Sequence, residues 1–289
     1  VYSRRRYTVP LPDGRTLALG GRTLLMGVLN VTPDSFSDGG LSLNLDRAVE
    51  AGLRLVEAGA DILDIGGEST RPGAKPVPAG EERARVVPVI EALAARVRVP
   101  ISVDTYKSTV AAAAVGAGAS IINDVSGLRY DPALGPVAAS TGAALVLMHT
   151  RGRSGDMYKE ASYHDLIGEV QDELRESIAF ATGAGVRRAA IVVDPGIGFA
   201  KHAQQSYEVL ARLHEFSELA CPLLVGPSRK SFLTRATGPD APSGRDWATA
   251  AAVTTAVLEG AHIVRVHAVA ELRDVVRVAD EIRRYHQEP

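Results

Sequence analysis

Several apolar runs in this chain end abruptly on a residue that can do chemistry. "ISVDT" (Ile101 to Thr105) reaches Asp104, "SIINDVSG" (Ser120 to Gly127) turns at Asn123-Asp124, and "AAIVVDPG" (Ala189 to Gly196) stops at Asp194. Two carboxylates and an amide suit a flat heterocycle with an amidine-like edge. A carboxylate accepts from two parallel N–H groups, and an amide both donates and accepts. Taken singly, each of the three also reads as a helix N-cap or turn residue. "HIVRVH" (His262 to His267) adds Arg265 and His267, two apart and so on one face of a strand. An interior Arg265 calls for an anionic ligand group or for an ion pair with a rim carboxylate. His267, last in its run, reads equally well as exposed. Lys230 in "GPSRKSF" is expected near a helix start, where a cation opposes the helix dipole unless an anion or polar ligand answers it. The alternative there is a solvated loop lysine.

The elements that must position these residues follow from the apolar pattern. Strands are predicted at "LLMGVLN" (Leu24 to Asn30), "DILDIGG" (Asp61 to Gly67), "ISVDT", "SIIND", "AALVLMH" (Ala143 to His149), "AAIVVD", "PLLVG" (Pro222 to Gly226) and "HIVRVH". All are short, rich in Val, Ile and Leu, and apolar on both faces, as parallel strands covered on both sides are. Helices are predicted between them: one from Asn44 with Ala48, Ala51, Leu55 and Val56 along a stripe, then roughly 80–96, 107–116, 132–141, 164–184, 203–220, 243–259 and 269–286. Gly59, Gly118, Gly142 and Gly260 are placed to close helices in left-handed geometry.

Eight strand-helix units predict an α/β fold, a (β/α)₈ TIM barrel, with a doubly wound open sheet as the alternative. "YTVPLPDGRTLALG" predicts a β-hairpin within residues 1–20, able to plug the far end of the barrel. No linker breaks residues 1–289, so one domain is expected. In such barrels the site lies at the C-terminal strand ends. Asn30, Asp104, Asn123, His149, Asp194, Arg265 and His267 all fall there. Two long polar loops, "NVTPDSFSDGG" (Asn30 to Gly40) and "GGESTRPGAKPV" (Gly66 to Val77), have the length of lids or binding loops. Phe36 in the first is an aromatic expected to close over something.

Composition narrows the function. The 289 residues are 46% hydrophobic and 23% charged with a net charge of -2, a globular balance that offers no bulk attraction to nucleic acid or membrane. Aromatics at 5% are too few for a single-strand stacking surface, and the apolar runs are too short to span a bilayer. Cys221 is the single cysteine, so no internal disulfide or cysteine metal cluster forms, and it reads as a small buried hydrophobe. "VYSRRRYTV" lacks an apolar run behind its charges, so no secretory signal is expected, "YSRRR" reads as a solvated arm, and the expected setting is cytoplasmic. His164, His202, His214, His262 and His286 lack metal-ligand spacing and read as surface or helix positions. "GIG" (Gly196 to Gly198) reads as a turn.

The assembled segments resemble the dihydropteroate synthase family of the pterin-binding barrel superfamily: "MGVLNVTPDSFSDGG", "DILDIGGESTRPGA", "ISVDT", "INDVSG", "VLMH", "VVDPGIGFAK", "LLVGPSRKSFL" and "VRVH", in order from Met26 to His267. The resemblance implies condensation of 6-hydroxymethyl-7,8-dihydropterin diphosphate with p-aminobenzoate, releasing pyrophosphate, through a pterin-methylene cation. It implies a pterin pocket of Asp104, Asn123, Met148, Asp194, Phe199, Lys230 and Arg265, with Asp194 on the 2-amino and ring N–H edge. Asn30, Arg265 and His267 would hold the diphosphate, Asn30 also near Mg²⁺. Phe36, Thr70, Pro72, Lys230 and Ser231 would shape the p-aminobenzoate site, and Asp38, Arg71, Lys230 and Asn30 would serve catalysis. Sulfonamides as competitive inhibitors and a homodimer are implied as well. A methyltetrahydrofolate-dependent methyltransferase would share the barrel and the Asp/Asn/Asp pocket without needing "PSRKSF", "RVH" or "TPDSFSDGG". A non-catalytic pterin-binding paralogue should have lost some of Asn30, Asp38, Arg71, Lys230, Arg265 and His267, all of which are present.

Overall fold

A computed structural model describes the chain except residues 13, 33–40, 71, 72, 154, 160, 239–243 and 288–289. A hairpin of β1 (Tyr7–Pro10) and β2 (Thr16–Leu19) comes first. Strand-helix units follow: β3 (Leu24–Asn30) and α1 (Leu41–Glu57), β4 (Ile62–Gly66) and α2 (Ala79–Ala94), β5 (Ile101–Asp104) and α3 (Ser108–Gly116), β6 (Ile121–Asp124) and α4 (Leu134–Thr141). The second half holds β7 (Ala144–Met148) and α5 (Leu166–Gly183), β8 (Ile191–Asp194) and α6 (Ala203–Ala211), β9 (Leu224–Val225) with α7 (Thr234–Thr237) and α8 (Gly244–Leu258), then β10 (Ile263–Val266) and α9 (Val269–Gln287). The eight strands after the hairpin pair in parallel in the order β8-β7-β6-β5-β4-β3-β10-β9, and a parallel bridge between Val193 and Leu223 joins the two ends. This is the (β/α)₈ barrel with an N-terminal hairpin that the alternation predicts, not an open doubly wound sheet.

Period-two alternation sorts each strand into two cores. Leu25, Leu63, Ile65, Val103, Ile122, Leu145, Leu147, Ile191, Val193 and Val264 pack outward under the helices. Leu24, Met26, Ile62, Ile121, Ala144, Val146, Val192, Leu224 and Ile263 fill the interior, where they meet Val9, Leu11, Leu17 and Leu19 of the hairpin. The hairpin therefore stoppers the end away from the strand C-termini. Continuing the interior register by two residues at a time brings Asp64, Asn123, Met148, Asp194 and Arg265 into the opposite mouth. The predicted closing glycines Gly59, Gly118, Gly142 and Gly260 all take positive φ.

Three expectations change. The helix expected over 203–220 ends at Ala211, and Leu213–Leu219 is 3₁₀. Its buried residues, Leu213, Phe216 and Leu219, recur every third position, which matches three residues per turn rather than 3.6. The "YSRRR" segment is no solvated arm throughout: Arg4 is buried and donates to Asp280 on α9 at 3.0 Å, and Asp280 also accepts from Thr23. His262, expected at the surface, is buried, with Nδ1 accepting from the Leu223 N–H and Nε2 donating to the Arg5 carbonyl. Cys221 is buried as expected, though Arg188 donates to its sulfur. No described helix is long and apolar enough to cross a membrane.

Candidate active site

The mouth of the barrel is organised around Arg265. Its alternation with Ile263 turns it inward, where its Nε donates to Asp64 Oδ2 at 2.6 Å and a terminal nitrogen donates to Asp104 Oδ2 at 2.7 Å. Asn123 donates to the same Asp64 oxygen at 3.1 Å, so β4, β5, β6 and β10 meet through four side chains. Asp64 is wholly buried, Asp104 and Asn123 are buried, and Arg265 is half-buried. The other Asp64 oxygen, Oδ1, is buried with no protein partner. Of the two alternatives for Arg265, an anionic ligand group or a rim ion pair, the ion pair is present, and one of its two partners, Asp64, is absent from the sequence-derived candidates. Burial drives the Asp104 carboxyl up to about 7; Arg265 opposes this, and the neighbouring Asp64 adds to it. Against the cost of its own burial, Arg265 is held in the charged form by Asp64 and Asp104.

The other side of the mouth belongs to the loop after β8. Asp194 is buried, and its Oδ1 accepts from the Gly196 N–H at 2.7 Å. Burial raises its carboxyl above the usual range, while Lys230 and that N–H pull it back. "GIG" is a turn, as predicted, and a tight one. Gly196 (φ 70) has no room for a side chain, because a Cβ there would lie 1.9 Å from the His149 carbonyl. Lys230 precedes a 3₁₀ turn, Ser231–Leu233, lies 4.3 Å over the Phe199 ring and donates to the Ile197 carbonyl. Burial lowers its ammonium to about 8; Asp194 works against this and Arg265 with it. Lys230 is therefore no solvated loop lysine. Lys230 lies within electrostatic reach of Asp194, Arg265 and Asp104, and Arg265 within reach of Asp104 and Asp194.

At the rim, Ser228 ties the β9 loop to the end of β10: its hydroxyl accepts from the His267 N–H at 3.2 Å and lies 2.9 Å from Nδ1. Asn30 closes β3 half-buried, paired in register with Gly66. Met148, in register with Asp194, is buried in the interior layer. Thr70 is half-buried and Ser231 exposed. Phe36, Asp38, Arg71 and Pro72 lie outside the described residues. The base of the second long loop is anchored: Glu68 accepts from Lys107 at 2.5 Å, Tyr106 at 2.9 Å and the Val77 N–H at 2.9 Å, and Lys107 also reaches buried Glu82.

His149 departs from expectation. It ends the β7 run, yet its ring is buried behind the mouth, with Nε2 3.2 Å from Glu173 on α5 and Nδ1 2.8 Å from Lys201. Sequence reasoning missed Asp64, Glu68, Lys107, Glu173 and Lys201. Asp64 had a signal, a carboxylate between Leu63 and Ile65 in the interior register of Ile62.

Among the described residues, no three His, Cys, Asp or Glu side chains converge as a metal cage. Among the described residues, the half-buried Asn30 amide is the donor expected there, which suits a Mg²⁺ held by few protein atoms plus water and substrate phosphate oxygens.

A family model described as pterin binding enzyme matches residues 26–267. The dihydropteroate synthase of Synechocystis sp. is 45% identical over 276 residues, 95% of this chain and 96% of that one. The chain belongs to the dihydropteroate synthase family. Membership makes it a transferase of that type, and the solved structures agree. Dihydropteroate synthase of Xanthomonas albilineans with 4-aminobenzoic acid superposes with a TM-score of 0.88 at 44% identity, covering 98% of this chain and 100% of that one. The Yersinia pestis family member in complex with a sulfonamide drug gives 0.86 at 42% identity, covering 93% and 97%.

The buried imidazole has a measurable consequence. Burial and Lys201 lower His149 from 6.5 to about 3, despite Glu173. The unfolded chain takes up that proton near 6.5 while the fold resists it, so stability falls as pH drops through this window. Hydrogen bonds from His149, Arg151 and Arg129 outweigh partial burial and hold Glu173 below its ordinary range, which acts in the same direction at lower pH. Burial lowers His262 to about 4, with the same sign. Thermal midpoints measured between pH 7 and pH 4.5 are expected to fall with acid, and His149→Gln to make the fall shallower, leaving the share of His262.

Proposed function

We propose that the mouth of this barrel joins 6-hydroxymethyl-7,8-dihydropterin diphosphate to p-aminobenzoate to give 7,8-dihydropteroate and pyrophosphate. The observation that carries this reading is the convergence of Asp104, Asn123, Asp194, Lys230 and Arg265 on one opening. Asp194 accepts from the ring N–H and 2-amino group. Asn123 and Asp104 complete the edge, and Met148 and Phe199 supply apolar walls. Lys230 and Arg265 add positive charge where the leaving group develops negative charge.

In the reaction, the methylene–oxygen bond breaks and its electron pair leaves with the diphosphate. The methylene cation is delocalised into the pterin ring, and the neutral aniline nitrogen attacks it and then sheds a proton. Arg265, His267 and Asn30 hold the diphosphate. Mg²⁺, when bound through Asn30 and the diphosphate, supplies neutralising charge. Thr70 and Ser231 flank the p-aminobenzoate position with Lys230, and Phe36, Asp38, Arg71 and Pro72 are assigned to the same chemistry by family resemblance. Sulfonamides would compete at that position. One domain spanning 1–289, working in the cytoplasm, belongs to the same reading.

A homodimer is part of this reading. Trp247 on α8 is 80% exposed, and Val278, Ile282 and Tyr285 form an exposed stripe on neighbouring α9. Apolar and aromatic side chains at such spacing suit an interface with a second copy. Sedimentation of the purified chain at twice its monomer mass is the expected result, with Trp247→Asp shifting it toward monomer.

The catalytic reading is tested with the pterin diphosphate and p-aminobenzoate, with and without Mg²⁺, following dihydropteroate and pyrophosphate in equal amounts. Protein that binds pterin but forms neither product would instead favour a non-catalytic paralogue. Asp194→Ala leaves the ring donors without an acceptor. A loss of about 1.4–2.8 kcal/mol, roughly 10–100-fold in pterin affinity, is expected by calorimetry; unchanged affinity refutes the assignment.

A further inference from the structure

Behind the pterin-facing loop lies a lysine that the proposed reaction does not use. Lys201 is 1% exposed, among the largest wholly buried side chains in the described protein. Burial takes its ammonium down to about 7; Asp194 works against this and Lys230 with it. Its described hydrogen-bond partners are one imidazole nitrogen and two backbone carbonyls: His149 Nδ1 at 2.8 Å, the Phe199 oxygen at 3.2 Å and the Gly196 oxygen at 3.3 Å.

The loop wraps around this ammonium. Gly196, Gly198 and Ala200 take left-handed φ of 70, 77 and 45, at every second position. Ala200 has no glycine licence for that geometry, and such residues persist only where the surroundings over-determine them. Here Tyr163 donates to the Ala200 carbonyl at 2.9 Å, and the Gly196 and Phe199 carbonyls turn to Lys201.

The same segment presents the candidate site on its other face. The Gly196 N–H fixes Asp194, the Ile197 carbonyl receives Lys230, and the Phe199 ring lies under that lysine. Gly198 leaves the room Lys230 needs, since a Cβ there would sit 2.9 Å from its Cδ.

The ammonium is itself aimed. With Lys201 donating to Nδ1, the neutral His149 carries its proton on Nε2 and donates to Glu173. Arg151 and Arg129 hold Glu173 through bonds of 2.8 and 2.7 Å. Glu173, His149 and Lys201 thus form one directed chain from the surface of α5 to the loop backbone.

We propose that Lys201 is a positioning residue whose ammonium, aimed by His149 and Glu173, templates the loop from Asp194 to Ala200 and so sets Asp194, Phe199 and Lys230 for the pterin. This rests on the reading that those three side chains bind pterin. Small displacements of binding groups cost up to roughly 100-fold in rate. Among the described groups assigned to p-aminobenzoate, Lys230 rests on this loop, whereas Thr70 and Ser231 are not among the hydrogen-bond partners of Lys201.

The test is a steady-state comparison of wild type, Lys201→Met and Lys201→Ala with both substrates. In folded Lys201→Met, KM for the pterin diphosphate is expected to rise roughly 10–100-fold, and KM for p-aminobenzoate, which meets this loop through Lys230 alone of the described groups, to rise several-fold less. Adding ethylammonium or propylammonium to Lys201→Ala should restore pterin KM in part, and neutral propanol should not. Should the lysine variants fail to fold, Glu173→Gln keeps Lys201 but loosens its aim. The same selective rise in pterin KM, smaller in size, is then expected. Wild-type protein that makes no dihydropteroate overturns the functional reading. Active wild type, with folded Lys201→Met or Glu173→Gln keeping pterin KM within about twofold, or raising both KM values alike, overturns this inference alone.

Discussion

One guanidinium holds the mouth of this barrel together. Arg265 bridges Asp64 on β4 and Asp104 on β5 from its place on β10, and Asn123 on β6 shares the Asp64 oxygen. Four strands that backbone ladders alone would fix only pairwise are thereby joined by one continuous run of side-chain hydrogen bonds. Removing one partner of such a buried pair typically costs about 3–5 kcal/mol, because the other charge is left uncompensated. A fully apolar mouth would be no less stable by that accounting. The polar cluster is therefore better explained by what binds there than by what holds the fold up.

The rest of the barrel is arranged so that this charge can exist. Interior positions near the hairpin are Leu, Ile, Met, Val and Ala, sealed by Val9, Leu11, Leu17 and Leu19. Only the last interior position or two of several strands become polar. The charges sit above a dry floor, in a setting that raises Asp104 to about 7 and lowers Lys230 to about 8 through burial. Perturbations of this kind cluster where proteins bind and transform ligands. A ligand carrying both an N–H-rich edge and a diphosphate answers both signs of charge at once.

Much of this is legible in the amino-acid sequence. Parallel barrel strands show themselves as doubly apolar runs, and a polar residue at the end of such a run has few structural uses, so Asp104, Asn123, Asp194 and Arg265 stood out. Asp64 did not, because it lies inside "DILDIGG", where the run continues past it. Its parity with Ile62 was the missed clue. His149 carried the right signal with the wrong aim: its partner, Glu173, lies 24 residues further on along α5, and the direction of a ring is set by that long-range pairing. Lys201 sat in a recognised motif, but a lysine's burial depends on carbonyls turned by left-handed backbone, which residue types hint at only through Gly196 and Gly198. The docked arm at Arg4 failed for the same reason, since Asp280 lies at the other end of the chain.

The central claim is that Asp64, Arg265 and the pterin-facing groups act as one unit. A double-mutant cycle of Asp64→Asn and Arg265→Gln, read on kcat/KM for the dihydropterin diphosphate in variants that keep their fold, tests it most directly. The account predicts strong non-additivity, a coupling of about 1–3 kcal/mol, with the double variant little worse than the poorer single one. Losses that simply add would mean that the two side chains act independently, and would contradict it.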